Sequence, residues 1–131
     1  MGVDQPDFGI LFSDMELLNG LAYPVSELMQ PKAEAEIAFV LGEDLDFPSI
    51  TIVDLMSAID FAVPAIEIVG SRIKDWDIKI TDTIADNASA SRFVIGHTPK
   101  TLDEFDMINC KMNMMNNGTL VSEGILSLIH I

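Results

Sequence analysis

The stretch from Ala33 to Leu41 constrains this chain more than any other: it reads Ala-Glu-Ala-Glu-Ile-Ala-Phe-Val-Leu and stops at Gly42-Glu43-Asp44. That pattern predicts a strand, in which residues two apart leave from the same face. Glu34, Glu36, Ala38 and Val40 then share one face, and Ala35, Ile37, Phe39 and Leu41 the other. If both faces are covered, two carboxylates lie close together in a partly buried place. Like charges held there are unfavourable, and a divalent cation is one way to make them tolerable.

A second carboxylate anomaly follows. Ala65-Ile66-Glu67-Ile68-Val69 is apolar enough to be a short buried strand ending at Gly70, apart from Glu67. An ionisable group in such a run needs a partner. Three carboxylates on two strands match the oxygen ligands that Mg²⁺ or Mn²⁺ prefers, with the remaining positions left to water and substrate. On spacing alone a plainer arrangement stays open, in which Glu34 and Glu36 are solvated and Glu67 pairs with Arg72 or Lys74.

The rest of the chain supplies the frame. Residues 1 to about 24 read as irregular, punctuated by Pro6, Gly9, Gly20 and Pro24. Thr51 to Phe61 has helical spacing, with Ile52, Leu55, Met56 and Ile59 on one face, Thr51 as the cap and Pro64 preventing continuation. Residues 74 to 90 are polar and mixed, a long functional loop with a helical turn. Arg92 to Ile95 is a short strand, and Asn109–Met115 and Thr119–Val121 form a hairpin around Asn116-Asn117-Gly118. Several strands and one convincing helix predict an α+β, mainly β, domain.

Composition narrows the function. A chain of 131 residues with 49% hydrophobic and 21% charged residues can bury one core and is not of disordered type. A net charge of −14 repels phosphate backbones and anionic lipid, so neither nucleic acid nor membrane is an expected partner. The N-terminus shows no secretory signal, and a single cysteine, Cys110, suits a reducing cytoplasm. With only seven Lys and Arg, an acidic protein that binds an anionic acid would profit from a bound cation.

At these residues the chain resembles a known family. Gln5-Pro6-Asp7-Phe8-Gly9, then Gln30-Pro31 with Glu34-Ala35-Glu36-Ile37-Ala38, is similar to the hydratase and decarboxylase branch of the fumarylacetoacetate hydrolase superfamily. The likeness continues through Pro64-Ala65-Ile66-Glu67-Ile68-Val69-Gly70-Ser71-Arg72-Ile73 and Asp75-Trp76, and closes with Asp82-Thr83-Ile84-Ala85-Asp86-Asn87-Ala88-Ser89. The Val-Gly-Ser-Arg-Ile form of the third block looks closest to the 2-keto-4-pentenoate hydratases, with 4-oxalocrotonate decarboxylase a near relative.

The resemblance implies a fumarylacetoacetase-like β-roll with a mixed sheet and flanking helices, assembled into homo-oligomers. It implies metal ligands at Glu34, Glu36 and Glu67, a catalytic acid–base at Asp7, and a substrate-carboxylate contact at Ser89. Without the family, Asp7 reads as a turn residue bonding backbone near Gly9, and Ser89 as a cap. Asp86 and Asn87 read as structural, and Arg72 as an ion-pair partner of a neighbouring carboxylate.

The implied reaction is hydration of 2-hydroxypenta-2,4-dienoate to 4-hydroxy-2-oxopentanoate in meta-cleavage aromatic catabolism. The alternatives are decarboxylation of 4-oxalocrotonate, or an inactive piece serving only as a folding or interaction module. Members of the family are longer, and their catalytic lysine has no counterpart here, so the chain is expected to be truncated at both ends. Residues 1–124 correspond to part of the catalytic domain. Residues 125–131, Ile-Leu-Ser-Leu-Ile-His-Ile, lack a family counterpart and are expected to be extraneous sequence. His97 reads as a solvated turn residue, and His130 has no partner pattern. Cys110 reads as a buried small hydrophobe, and Met107, Met112, Met114 and Met115 as core filling.

Overall fold

A computed structural model describes residues 5–125. Its centre is a three-stranded antiparallel sheet in the order β1 (Lys32–Leu41), β2 (Ile59–Val69), β3 (Ala90–Ile95). A separate antiparallel hairpin joins β4 (Lys111–Asn116) to β5 (Thr119–Ile125). Two short helices, α1 (Ile52–Ala58) and α2 (Ile80–Ala85), complete an α+β, mainly β fold. Parallel pairing enters through an isolated bridge between Glu16 and Phe93. No helix among the described residues is long and apolar enough to cross a membrane.

The helix predicted over 51–61 ends early, at Ala58, and Ile59 to Phe61 belong to β2. Its start is as expected: the Thr51 side chain accepts from the Asp54 amide, and the Asp54 carboxylate accepts from the Thr51 amide at 2.9 Å. Two physical terms stop it. Pro64 clashes with the carbonyl four residues back in a helix, and Ile59 and Phe61 pair with Leu41 and Val40 instead. The apolar spacing that suggested one helix face is thus divided between a seven-residue helix and a strand.

Pro64 sits inside β2, where a proline is normally excluded because it has no N–H to give. Here β3 pairs with β2 only from Ala65 onward, and the Pro64 carbonyl accepts from Gly96 at 2.8 Å just beyond it. The missing donor therefore faces the place where the ladder ends. The short strand expected at 65–70 is correspondingly part of an eleven-residue one.

The polar stretch 74–90 holds a turn at Lys74–Trp76, α2 and a turn at Asn87–Ser89. The hairpin turns through Asn117 and Gly118, both at positive φ, as its Asn-Gly sequence demands. β5 runs further than expected, through Ile125, which pairs with Lys111. The remaining residues of the 125–131 tail, His130 among them, lie outside the described residues.

Burial is thin. Met15, Ala58, Ala62, Val63, Val69 and Ile78 form the buried apolar set, most of them small. The accessible surface is 9587 Å², against about 6,800 Å² for a compact monomer of this mass. Between the Ala35–Ile37 face of the sheet and the hairpin lies a groove of about 480 Å³, lined by Pro64, Ile66, Cys110, Met112 and Met114 among others. Cys110 is half-buried on that groove, and Met115 is exposed, so neither is the fully buried core filler expected. His97 is exposed, as expected of a turn residue.

Candidate metal centre

β1 and β2 bring the three glutamates together by register. Glu34 stands opposite Glu67, and Glu36 opposite Ala65, so all three carboxylates leave the same face of the ladder. One carboxylate oxygen from each lies within 4.8 Å of the others. Glu34 and Glu67 are half-buried, whereas Glu36 is more exposed.

Their electrostatics follow from that crowding. Partial burial raises the Glu67 carboxyl above its ordinary value, and the charges of Glu34, Glu36 and Asp7 push it further. Glu36 is raised by the same desolvation, then by Glu34.

Among the described residues no cation answers these charges. Arg72 pairs with Asp86, and Lys74 with Asp75, so the arrangement in which either neutralises Glu67 does not occur. Among the described residues no Lys or Arg forms an ion pair with Glu34, Glu36 or Glu67. Lys32, two residues before Glu34, has its ammonium 4.0 Å from the centre of the Trp76 ring. Three hard oxygen donors converging without a protein cation suit a divalent metal of the Mg²⁺ or Mn²⁺ type.

Asp7 approaches this cluster from the irregular N-terminal segment. Its Oδ2 is buried and has no hydrogen-bond partner among the described residues. An orphaned carboxylate oxygen whose charge bears on Glu67 is a second observation that fits a cation site. The expected bonding to backbone near Gly9 does not satisfy that oxygen.

Ser89 is buried, at the end of three consecutive residues with positive φ, Asn87, Ala88 and Ser89. Its carbonyl accepts from the Gly70 amide at 2.9 Å, which ties the turn to the end of β2. Asp86 holds Arg72, as its structural reading anticipates.

Two residues do more than the sequence suggested. The Asn87 side-chain amide makes a reciprocal pair with Ile10, accepting from its N–H at 2.8 Å and donating to its carbonyl at 2.9 Å. The side chain of Gln30 donates to the carbonyls of Ser71 and Ile73 and accepts from the Asp75 amide, fastening the entry of β1 to the exit of β2. Asparagine's tolerance of left-handed backbone was the available signal for Asn87; Gln30 carried none.

Comparison with known proteins agrees with this geometry. No family model matches the chain. It is 57% identical to the "TodF product hydratase" of Pseudomonas putida, over 95% of this chain and 47% of that protein. It is 49% identical to "2-keto-4-pentenoate hydratase 1" of Dechloromonas aromatica, with the same coverage. Among solved structures, 4-oxalocrotonate decarboxylase from Pseudomonas putida, complexed with magnesium and adipate, superposes with a TM-score of 0.82 at 32% identity. That match covers 91% of this chain and 47% of the decarboxylase. A further structure of the decarboxylase is complexed with calcium and acetate. The strand ladder, its carboxylates and these likenesses agree with the resemblance of the chain to the hydratase and decarboxylase branch of the fumarylacetoacetate hydrolase superfamily. Within that branch its similarity is to proteins named as hydratases, at 47–57% identity over 95% of this chain. The chain spans about half the length of the curated relatives it matches.

Proposed function

We propose that the chain carries the metal-binding half of a hydratase that converts 2-hydroxypenta-2,4-dienoate to 4-hydroxy-2-oxopentanoate. The observation that carries this reading is the convergence of Glu34, Glu36 and Glu67 with no cation partner among the described residues, in a sequence 57% identical over 95% of its length to a hydratase. Residues 1–124 form the catalytic portion, and the parent enzyme works in the cytoplasm as a homo-oligomer.

The three glutamates would hold Mg²⁺ or Mn²⁺, which when bound supplies a Lewis acid for negative charge on the substrate's C2 oxygen. Overall, the dienol loses its C2 hydroxyl proton and gains one at C5, giving the α,β-unsaturated ketone. Water then adds across the alkene, its oxygen to C4 and a proton to C3. Asp7 moves these protons: its Oδ2 is buried, with no hydrogen-bond partner among the described residues, and lies near the glutamate cluster. Ser89 holds the substrate carboxylate, its place fixed by the hydrogen bond from the Gly70 amide, at the end of β2, to its carbonyl. The −14 chain repels an anionic substrate in general, so recognition has to be concentrated at this one site.

The test is a Mn²⁺ titration of the purified chain beside its Glu34→Gln/Glu36→Gln variant, with circular dichroism showing both folded. Saturable binding lost in the variant is the expected result. No binding by the folded wild-type chain would overturn the site. Product analysis with 2-hydroxypenta-2,4-dienoate and 4-oxalocrotonate then separates the chemistries, carbon dioxide release marking a decarboxylase, the alternative that the magnesium-bound structural neighbour favours.

A further inference from the structure

Asp7 belongs to a segment that has little else to hold it. Phe8, Ile10, Leu11 and Phe12 around it are all exposed, Phe8 by 92%, so no apolar core fixes this stretch of chain. What does fix it comes from the far side of the sequence. The Asn87 amide grips the backbone of Ile10 with two hydrogen bonds across 77 residues, in the manner of one rung of a strand ladder. Between that rung and Asp7 lies Gly9, packed so closely that a Cβ there would run into the Asn87 backbone carbonyl. Asn87 itself has φ +52°, a backbone conformation that asparagine adopts more readily than most residues. The Asp7 oxygen that results from this placement is buried, unpartnered, and close enough to the glutamates for its charge to act on Glu67.

We propose that Asn87 is a positioning residue that holds Asp7 beside the carboxylate cluster by gripping Ile10, with Gly9 allowing the close approach. The inference rests on the reading of Glu34, Glu36 and Glu67 as cation ligands. Asn87 acts through the backbone of residues 9 and 10. The same short turn ends at Ser89, so one left-handed element sets both proposed site residues outside the glutamate cluster.

The consequence is a coupling that Mn²⁺ can read in the full chain. With Asp7 in place, its negative charge strengthens cation binding by roughly three- to tenfold, the size expected for a charge a few ångströms outside the ligand shell in partly aqueous surroundings. Asp7→Asn is expected to weaken Mn²⁺ binding by that factor. Asn87→Ala should weaken it equally, and Asn87→Ala in the Asp7→Asn background should have no further effect. Gly9→Ala, which leaves Asn87 intact but blocks the approach, should reproduce the Asn87→Ala result. A general loosening of the fold would instead weaken binding in both backgrounds, and that outcome overturns the proposal. A second readout is independent of the metal: hydrogen exchange of the backbone amides of residues 7–11 should accelerate tenfold or more in Asn87→Ala and Gly9→Ala, with β1 and β2 unchanged. Unchanged exchange there overturns the grip, even if every variant binds Mn²⁺ less well. Failure of the wild-type chain to bind Mn²⁺, with the exchange result as expected, would remove the cation reading and with it Asp7's part in the cluster, while leaving the grip on Ile10 established.

Discussion

Glu34 lies directly across the β1–β2 ladder from Glu67, and nothing cationic in the described protein stands between them. Directly opposed like charges weaken a sheet, and most sheets avoid them. Here the pair occupies the ladder with the longest pairing in the molecule, ten residues of β1 against β2. The remaining pairs of the ladder hold the two carboxylates opposed, and a divalent cation would relieve their repulsion. The sheet is thus a scaffold rigid enough to force carboxylates together.

Glu67→Gln separates these two effects. Removing one charge from the opposed pair should stabilise the metal-free chain at pH 7 by about 0.5–1 kcal/mol, the range of a cross-strand pair, with the half-exposed setting keeping it modest. The same change should weaken Mn²⁺ binding by at least tenfold. Chemical denaturation with and without Mn²⁺ gives both numbers. A variant that was less stable without metal would mean the carboxylate is satisfied by a group other than a cation.

The raised carboxyls of Glu36 and Glu67 fix the sign of a pH dependence. A group whose pKa is raised on folding contributes stability that is complete below its unfolded value and lost as pH climbs through the folded one. The metal-free chain should therefore lose stability on going upward from about pH 4.5, the ordinary glutamate value, toward neutrality. Other acidic residues contribute their own slopes, so the comparison is with Glu36→Gln/Glu67→Gln, whose stability curve should be flatter in that window. Saturating Mn²⁺ should reverse the difference, since the cation binds the ionised form. Thermal melts across pH 4 to 7 with and without Mn²⁺ would sink this account if the two proteins kept parallel curves.

Much of the site was readable before the fold was known, and the reasons it was incomplete are physical. The shared face of Glu34 and Glu36 follows from strand periodicity, which is local. That Glu67 joins them depends on a strand register that pairs residues thirty-three apart in the chain, which no spacing rule supplies; the family resemblance carried that step. The helix expected to reach Phe61 stopped at Ala58 because pairing with β1 outcompeted helical spacing. The hairpin was legible because Asn117-Gly118 states its turn outright. The grip of Asn87 on Ile10 was invisible, being a contact between two irregular segments far apart in sequence. Cys110 was expected to be buried because cysteine usually is, but it lines an open groove beside an exposed hairpin.

Gly118 tests the hairpin without touching any packing. It has φ +79°, and an added Cβ would meet nothing within 4 Å. Gly118→Ala therefore measures backbone strain alone and should destabilise the hairpin by about 1–2 kcal/mol. Hydrogen exchange at the β4 and β5 amides should rise accordingly, while β1, β2 and Mn²⁺ binding stay as they are. Loss of Mn²⁺ binding in this variant would mean that the hairpin and the carboxylate ladder unfold as one unit.

Arg72 is the residue whose charge most invites a role in the site, three positions beyond the end of the strand that carries Glu67. Its guanidinium instead pairs with Asp86, and its side chain is 69% exposed. Asp86 is largely covered, but with the guanidinium in water the pair contributes modestly, about 1 kcal/mol. Its connection to the site is indirect: Asp86 is followed by Asn87, whose amide holds the segment bearing Asp7. Arg72→Ala is therefore expected to leave Mn²⁺ affinity within about twofold of wild type, because no charge at the glutamates changes. If Arg72 neutralised Glu67 in solution, its removal would free the carboxylate and tighten Mn²⁺ binding instead. Isothermal titration of Arg72→Ala beside wild type distinguishes the two, and a tightening of tenfold or more would show that the glutamates have a protein cation as partner after all.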